Sequence, residues 1–206
     1  MIDYFAVLGE SRRPWLDPEA LKVKFLAFSA EVHPDRLRHA TENRKRNATE
    51  RYTELNAAYD CLRDPKDRLF HLLTLERGTT PEQVQRIGSE PMNLFNEVSQ
   101  ICRKADSFLI EKAKTTSPLL KAQILMQATE LTDEISALRH ELRVRRDTLV
   151  EQTKILNMAW ESAPPVGTSS RVNFLPCGRL EQLYRDLSYV SRWLAQIEER
   201  SVQLSI

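Results

Sequence analysis

The chain has 206 residues, of which 30 are basic and 29 acidic, so its formal net charge is only +1. This balance gives no overall reason to expect binding to nucleic acid or to a membrane surface. No apolar stretch reaches the length of about 18 residues that a membrane span needs, and no basic segment precedes an apolar amino-terminal core. We therefore expect neither a membrane span nor a signal peptide, and a cytoplasmic location.

The first predicted elements are a short helix and a longer amphipathic one. Residues 1–9 are typical of a short helix that stops at Gly9. The second helix is expected to begin after Asp17, a good N-cap, with Pro18 at its first position. Its apolar side chains recur at 4-3-4 spacing and predict one buried stripe, formed by Leu21, Phe25, Phe28 and Val32.

The tripeptide His33-Pro34-Asp35 follows this helix directly. Because proline disfavours the α conformation in the preceding residue, the helix should stop there and leave the imidazole and the carboxylate in an exposed turn. A third helix, packed antiparallel to the second, is expected after a basic loop, and a fourth over residues 66–76. The apolar positions of the third helix are Ala48, Tyr52, Leu55, Tyr59 and Leu62.

This arrangement resembles a J-domain over residues 1–76. Besides the helices and the tripeptide, the resemblance rests on Asp3-Tyr4-Phe5, Asn56-Ala57-Ala58-Tyr59, Leu62-Arg63-Asp64-Pro65 and Arg68. In that family the tripeptide and the exposed face of the second helix dock on the nucleotide-binding domain of an Hsp70 and trigger its ATP hydrolysis. The resemblance implies that Asp35 pairs with a basic group of the Hsp70, while His33 and Pro34 hold its position. The alternative is an ordinary solvent-exposed turn.

The second helix departs from that family in its charge. General J-domains usually present several lysines and arginines there, whereas the outward positions in this chain are Lys22, Leu26, Ala27, Ala30 and Glu31. Much of the positive charge lies in the following loop, which either contacts the Hsp70 or is simply solvated. Lys22 and Arg36 are the two basic residues that we assign to the Hsp70 contact.

Residues 77–90 are expected to form a linker with one short helix, because glycine, threonine and proline punctuate this region. Three longer helices with apolar residues at 4-3 spacing follow in residues 91–206. Since each has an apolar seam, the simplest arrangement is an antiparallel three-helix bundle. We therefore predict an all-α fold, with an N-terminal four-helix J-domain followed by that bundle.

A short amino-terminal J-domain followed by a three-helix bundle resembles the iron-sulfur co-chaperone family HscB over essentially the whole chain. In that family the bundle binds the iron-sulfur cluster scaffold protein and delivers it to a dedicated Hsp70. The resemblance implies two partners. These are an Hsp70-type chaperone similar to HscA or DnaK, and a scaffold protein similar to IscU.

The scaffold contact of that family uses apolar side chains at positions i, i+1 and i+4 near the start of the first bundle helix. Leu94, Phe95 and Val98 match this spacing, and Met92 precedes them. Acidic residues that accompany them in the family are mostly missing, although Glu97 is present. Leu94 and Val98 also fit the helix seam, so the alternative is a core role that leaves Phe95 and Met92 unexplained.

The segment Ser162–Gly178 lacks helical periodicity and is expected to be a long connection between the last two bundle helices. Its apolar residues Val172, Phe174 and Leu175 suggest that its second half folds back on the bundle. The family resemblance assigns no role to any residue of this segment.

The sequence predicts no metal site, no cofactor and no enzymatic activity of the chain itself. Its three cysteines are Cys61, Cys102 and Cys177, which are far apart and form no Cys-x-x-Cys pair. None of its five glycines stands in a phosphate-binding pattern.

Three functions remain open on the sequence alone. The first is an HscB-type co-chaperone that stimulates an Hsp70 and delivers an iron-sulfur scaffold protein. The second is a J-domain co-chaperone of the same architecture that serves a different client. The third is a degenerate J-like domain that acts only as a helical interaction module.

Overall fold

A computed structural model of the chain describes residues 1–33, 41–81, 92–114 and 118–205. These ranges contain eight helices and no strand, so the predicted all-α fold class is confirmed for them. The helices are α1 (Tyr4–Val7), α2 (Pro18–Glu31), α3 (Glu42–Arg63), α4 (Pro65–Arg77), α5 (Met92–Lys114), α6 (Pro118–Glu161), α7 (Ser169–Phe174) and α8 (Cys177–Ser205). Within the described ranges, no helix has both the length and the apolar character to cross a membrane.

The helices are divided between two compact units. Unit 1 comprises Met1–Glu82 and Val150–Tyr184, and unit 2 comprises Gln83–Leu149 and Arg185–Ile206. Each unit therefore consists of two separate segments, and helices α6 and α8 contribute to both units. The sequence instead predicts domains that are continuous segments, with boundaries at residues 76 and 91. The predicted connecting helix falls mainly on residues 82–91, which lie outside the described residues.

In unit 1, the amino-terminal helix has a polar start and a glycine end. The Asp3 carboxylate caps α1 by accepting hydrogen bonds from the backbone N–H groups of Phe5 and Ala6 at 3.0 and 3.3 Å. Gly9 follows the helix with a φ of 61°. A Cβ at Gly9 would lie 3.6 Å from the Phe28 ring, so this position combines left-handed backbone with a close approach of α2.

Helices α2 and α3 pack through the stripe that the sequence predicts. Asp17 caps α2 by accepting from the backbone N–H of Ala20 at 2.8 Å. Leu21 is buried, and the Phe25 ring stacks on that of Tyr59 at 4.2 Å between centroids. On the α3 side the buried residues are Leu55, Ala58 and Leu62. The periodicity thus predicted both helices and the face that each one buries.

Unit 1 also contains the end of α6, all of α7 and the start of α8. Asn157 of α6 is nearly buried, and its side-chain amide bonds both the backbone N–H and the carbonyl of Trp15, at 2.9 and 3.0 Å. Arg171 of α7 donates two hydrogen bonds to the Glu76 carboxylate at the end of α4, both at 2.8 Å. Polar side chains therefore fasten the amino-terminal helices to residues 150–184.

The segment after α6 corrects one expectation. Leu175 is buried, but Val172 and Phe174 are exposed, so the prediction that all three fold back on the bundle is wrong for these two. The buried residue of α7 is Arg171. Its bonds to Glu76 and to the Pro164 carbonyl explain why the polar side of this short helix faces inward.

Unit 2 is a three-helix arrangement formed by α5 and by the parts of α6 and α8 that belong to it. Ion pairs join every pair of these helices: Lys104–Glu134 at 2.8 Å, Arg143–Glu198 at 3.1 Å and Asp106–Arg200 at 3.3 Å. The apolar seams predicted from the sequence are buried between them. Their buried members include Val98, Ala105, Phe108, Leu131, Ile135, Leu138, Leu142, Leu187, Val190 and Ile197.

Candidate functional site

The turn after α2 begins with an exposed histidine. Helix α2 ends at Glu31 with Val32 as its C-cap, so His33 has left the helix as the sequence predicts. The exposed His33 ring meets the Tyr52 ring of α3 edge-on, with 6.1 Å between centroids. Pro34, Asp35 and Arg36 lie outside the described residues.

The two lysines of α2 differ in their surroundings. Lys22 is exposed, as predicted. The Lys24 ammonium group bonds the Glu10 carboxylate at 2.7 Å and the Gly9 carbonyl at 3.1 Å. Glu10 also pairs with Arg13 at 3.0 Å, and its side chain is almost fully buried. The charge of Lys24 is therefore compensated within unit 1.

The outer face of α2 is apolar. Val23 is 66% exposed and Leu26 is 55% exposed. Ala27 and Ala30 are exposed as well. These four residues, which we call the α2 strip, follow the i, i+3, i+4, i+7 spacing of one helix face. The sequence predicts Leu26, Ala27 and Ala30 at outward positions, and the structure adds Val23 to them.

Basic residues at the start of α3 are paired with neighbouring acids. Lys45 bonds Glu42 at 2.8 Å, and Arg46 bonds Glu50 at 3.0 Å. These contacts are largely exposed, so each contributes little to stability. They nevertheless reduce the positive charge that Lys45 and Arg46 present to a partner.

The residues assigned to a client occupy two different environments at the start of α5. Val98 is only 2% exposed and packs in the core of unit 2, whereas Phe95 is 37% exposed. Leu94 is half-buried. Met92 is the first residue of α5, but its side chain lies outside the described residues. Among the described side chains of this set, the accessible ones are Leu94 and Phe95.

A cavity of about 410 Å³ adjoins Leu94 in unit 2. Its apolar walls come from Val144 of α6 and from Val190 and Trp193 of α8, and Tyr189 also lines it. The Tyr189 hydroxyl is buried and has no hydrogen-bond partner among the described residues. Burial raises the pKa of this phenol. The sequence predicts only a core seam for α8, because a cavity of this kind depends on how the helices pack.

Comparison with known proteins gives a domain match and several relatives. Residues 3–86 match the family model of the DnaJ domain. A co-chaperone protein HscB homolog of Ralstonia nicotianae is 28% identical over 146 residues, which are 71% of this chain and 74% of that protein. A homolog from Azoarcus sp. is 37% identical over 73 residues, which are 35% of this chain and 41% of the relative, so that match spans less than half of it.

Two solved structures share the fold. Chaperone HscB from Vibrio cholerae superposes with a TM-score of 0.63 at 18% identity and covers 98% of this chain and 99% of its own. Human co-chaperone protein HscB gives a TM-score of 0.61 at 18% identity over 100% of this chain and 83% of its own. At this identity, the two structures establish the fold alone.

The helices α1–α4, the exposed His33 at the end of α2 and the DnaJ-domain match define a J-domain protein. The chain therefore contains a DnaJ domain, is similar over most of its length to a curated HscB co-chaperone, and shares the fold of two solved HscB structures.

Proposed function

We propose that the chain stimulates the ATPase of a partner Hsp70 through His33, Pro34 and Asp35 and performs no chemistry of its own. The observation that carries the proposal is the exposed His33 directly after α2, within the segment that matches the DnaJ domain. Lys22 is exposed on the same helix and joins Arg36 as a candidate for the rim of the contact. A cytoplasmic location, expected from the sequence, is part of the same proposal.

The second half of the proposed function is delivery of an iron-sulfur cluster scaffold protein to that Hsp70. It is supported by the HscB relatives and by the accessible Leu94 and Phe95 at the start of α5. The buried Val98 acts in this proposal as a support that fixes the position of its neighbours. The residues of α5 that we propose to contact the scaffold protein are therefore Leu94, Phe95 and Met92.

One feature of α5 fits an alternative client equally well. After Glu97, the next turn carries Ser99, Gln100 and Cys102 where the scaffold-binding family has acidic residues. A client surface without basic residues fits this turn as well as an iron-sulfur scaffold does. The alternative is a J-domain co-chaperone that uses the same Hsp70 contact and the same apolar pair for a different protein.

Hsp70 stimulation is tested by single-turnover ATP hydrolysis with wild-type chain and with the Asp35→Asn variant. The substitution removes the negative charge while nearly preserving the shape of the side chain, so we expect loss of stimulation with unchanged helicity. Circular dichroism provides the control for folding. Full stimulation by a folded Asp35→Asn variant would contradict the assigned role, and no stimulation by wild-type chain would favour the helical interaction module.

Client binding is tested by calorimetric titration of the full chain with the iron-sulfur scaffold protein. We expect Phe95→Asp to weaken binding by at least about tenfold, because a charge replaces an apolar anchor, and to leave ATPase stimulation unchanged. Ile110→Asp is the matched control, since Ile110 is an exposed apolar residue of the same helix. If wild-type chain stimulates the Hsp70 but does not bind the scaffold, the alternative client is favoured.

A further inference from the structure

We propose that the α2 strip docks on an apolar patch of the Hsp70 nucleotide-binding domain. A basic J-domain helix would instead suit an acidic patch at this place. This inference rests on the proposed function and specifies the kind of Hsp70 that the chain can recognise. The strip is formed by Val23, Leu26, Ala27 and Ala30, as defined above. Its contribution is to extend the contact made by the turn that begins at His33.

The packing of α2 fixes the strip on the outside of unit 1. Leu21 is buried, Phe25 stacks on Tyr59, and the Phe28 ring lies against Gly9. A rotation of the helix that buried the strip would expose these three larger side chains. The exposure of Val23 and Leu26 is therefore a consequence of the core arrangement and is not relieved by any small rearrangement of the helix.

The charges of α2 give an acidic partner little to bind. The helix carries two lysines, Lys22 and Lys24, and two glutamates, Glu19 and Glu31, so its formal charges cancel. Lys24 is additionally held by Glu10, whose side chain is only 5% exposed. A helix with several free lysines gains affinity from negative potential on the partner. This helix can gain affinity mainly by removing apolar surface from water.

The position of the strip indicates which protein docks on it. Ala30 lies less than one helical turn before His33, so the strip leads directly to the turn proposed to contact the Hsp70. Residues 23–30 rise by about 10 Å along the helix axis, a length that one partner surface can cover together with the turn. A protein that binds the turn therefore reaches the strip without any rearrangement of unit 1.

Specificity follows from the same chemistry. An Hsp70 with acidic side chains opposite the strip would have to desolvate them against Val23 and Leu26 with only Lys22 at the edge of the strip to pair with them, which disfavours binding. An Hsp70 with apolar side chains there pays no such penalty. The strip thus directs the chain to a dedicated Hsp70 and away from Hsp70s that recruit basic J-domain helices.

The decisive variant is Leu26→Lys, because the two kinds of partner surface give it opposite effects. The measured quantity is the concentration of full-length chain that gives half-maximal stimulation of the Hsp70 ATPase. For an apolar patch we expect this concentration to rise about tenfold, because an apolar contact is lost and a charge must be desolvated. Leu125→Lys is the matched control, since Leu125 is an exposed leucine on helix α6 in unit 2.

Leu26→Gln measured at low and at high salt separates apolar from electrostatic docking. We expect the loss caused by this variant to persist at about 0.5 M salt, where charge interactions between exposed groups are screened. Lys22→Gln should have a smaller effect that disappears at the same salt concentration. A Leu26→Gln effect that vanished with salt would overturn the proposal.

The remaining outcomes are also distinct. Tighter docking by Leu26→Lys would mean that the opposite surface is acidic, and an unchanged value would mean that the strip does not touch the Hsp70. Dimers of wild-type chain that dissociate in Leu26→Lys, detected by light scattering, would assign the strip to a second copy of the chain. Each result overturns the inference while wild-type stimulation persists, whereas absence of wild-type stimulation overturns the proposed function itself.

Discussion

Glu76 and Arg171 form an enclosed ion pair between the end of α4 and α7. Their side chains are only 2% and 7% exposed, and two hydrogen bonds of 2.8 Å join them. Arg12 approaches the same carboxylate at 4.0 Å and also bonds Asp3 at 2.8 Å. These charged side chains connect Asp3, the cap of α1, to Arg171, which follows it by more than half of the length of the sequence.

Removing one partner of this ion pair should lower the free energy of unfolding, whereas replacing both partners by apolar residues should change it much less. We expect Arg171→Met to lower the free energy of unfolding by about 3 kcal/mol, because it leaves the buried Glu76 carboxylate with only Arg12, at 4.0 Å, as a cationic neighbour. The double variant Glu76→Leu with Arg171→Met should recover most of this loss. Urea denaturation of the four chains of this cycle measures both values. Equal losses in the single and double variants would mean that packing, and not the stranded charge, dominates.

His71 gives unit 1 a pH-dependent contact. The backbone N–H of Tyr4 donates to His71 Nε2 at 3.1 Å, which requires an unprotonated acceptor nitrogen. Burial lowers the pKa of His71 below its ordinary value of 6.5, opposed by the nearby Asp3 carboxylate and assisted by Arg12. The unfolded chain therefore binds a proton on this residue more readily than the folded chain does.

The sign of the effect on stability follows from that difference. Above about pH 6.5, His71 should not lower the free energy of unfolding. Below that pH, the free energy of unfolding should decrease as the pH falls, since the unfolded state takes up the proton first. His71→Phe should be less stable at neutral pH but should show a flatter pH dependence. His140→Gln, at an exposed histidine, is the control and should keep the wild-type slope. A wild-type slope in His71→Phe would assign the dependence to other groups.

At the scale of the helix, α6 changes character along its length. Its seam is apolar in unit 2, with Leu131, Ile135 and Leu142 buried, but Thr153 and Asn157 take seam positions in unit 1. The two hydrogen bonds between Asn157 and Trp15 explain the polar residue in an otherwise apolar seam. This part of α6 acts as a support for the segment between α1 and α2.

Asn157→Leu should therefore destabilise unit 1 although it makes the seam more apolar. We expect a loss of about 2 kcal/mol, because the Trp15 N–H and carbonyl lose their partner in a poorly hydrated site. Faster hydrogen exchange of the Trp15 amide should accompany the loss. Glu151→Leu, at an exposed position of the same helix, serves as the control. An unchanged exchange rate in Asn157→Leu would show that Trp15 finds another acceptor.

The sequence predicted elements better than the contacts between them. Helices α2, α3, α5 and α8 were predictable because apolar spacing is a local signal, and the cap Asp17 marks the start of α2. The pairs Glu76–Arg171 and Trp15–Asn157 join residues 95 and 142 positions apart, and no local pattern indicates such polar pairs. For the candidate site, His33 and Lys22 lie in the predicted places, whereas the cavity beside Tyr189 depends on the packing of α6 and α8.

At the scale of the whole molecule, the order of the chain and the compact units differ. The J-domain helices share unit 1 with residues 150–184, while the accessible Leu94 and Phe95 belong to unit 2. The two proposed binding functions are thus carried by different units that α6 and α8 connect covalently. The central claim is that one chain brings an Hsp70 and its client together.

The most direct test is the rate of single-turnover ATP hydrolysis by the partner Hsp70 with the chain alone, with the iron-sulfur scaffold alone and with both. We expect stimulation by the chain, a further increase with both proteins, and loss of both effects with Asp35→Asn. Phe95→Asp should remove only the further increase. Hydrolysis that is the same with and without the chain, whether or not the scaffold is present, would contradict the claim.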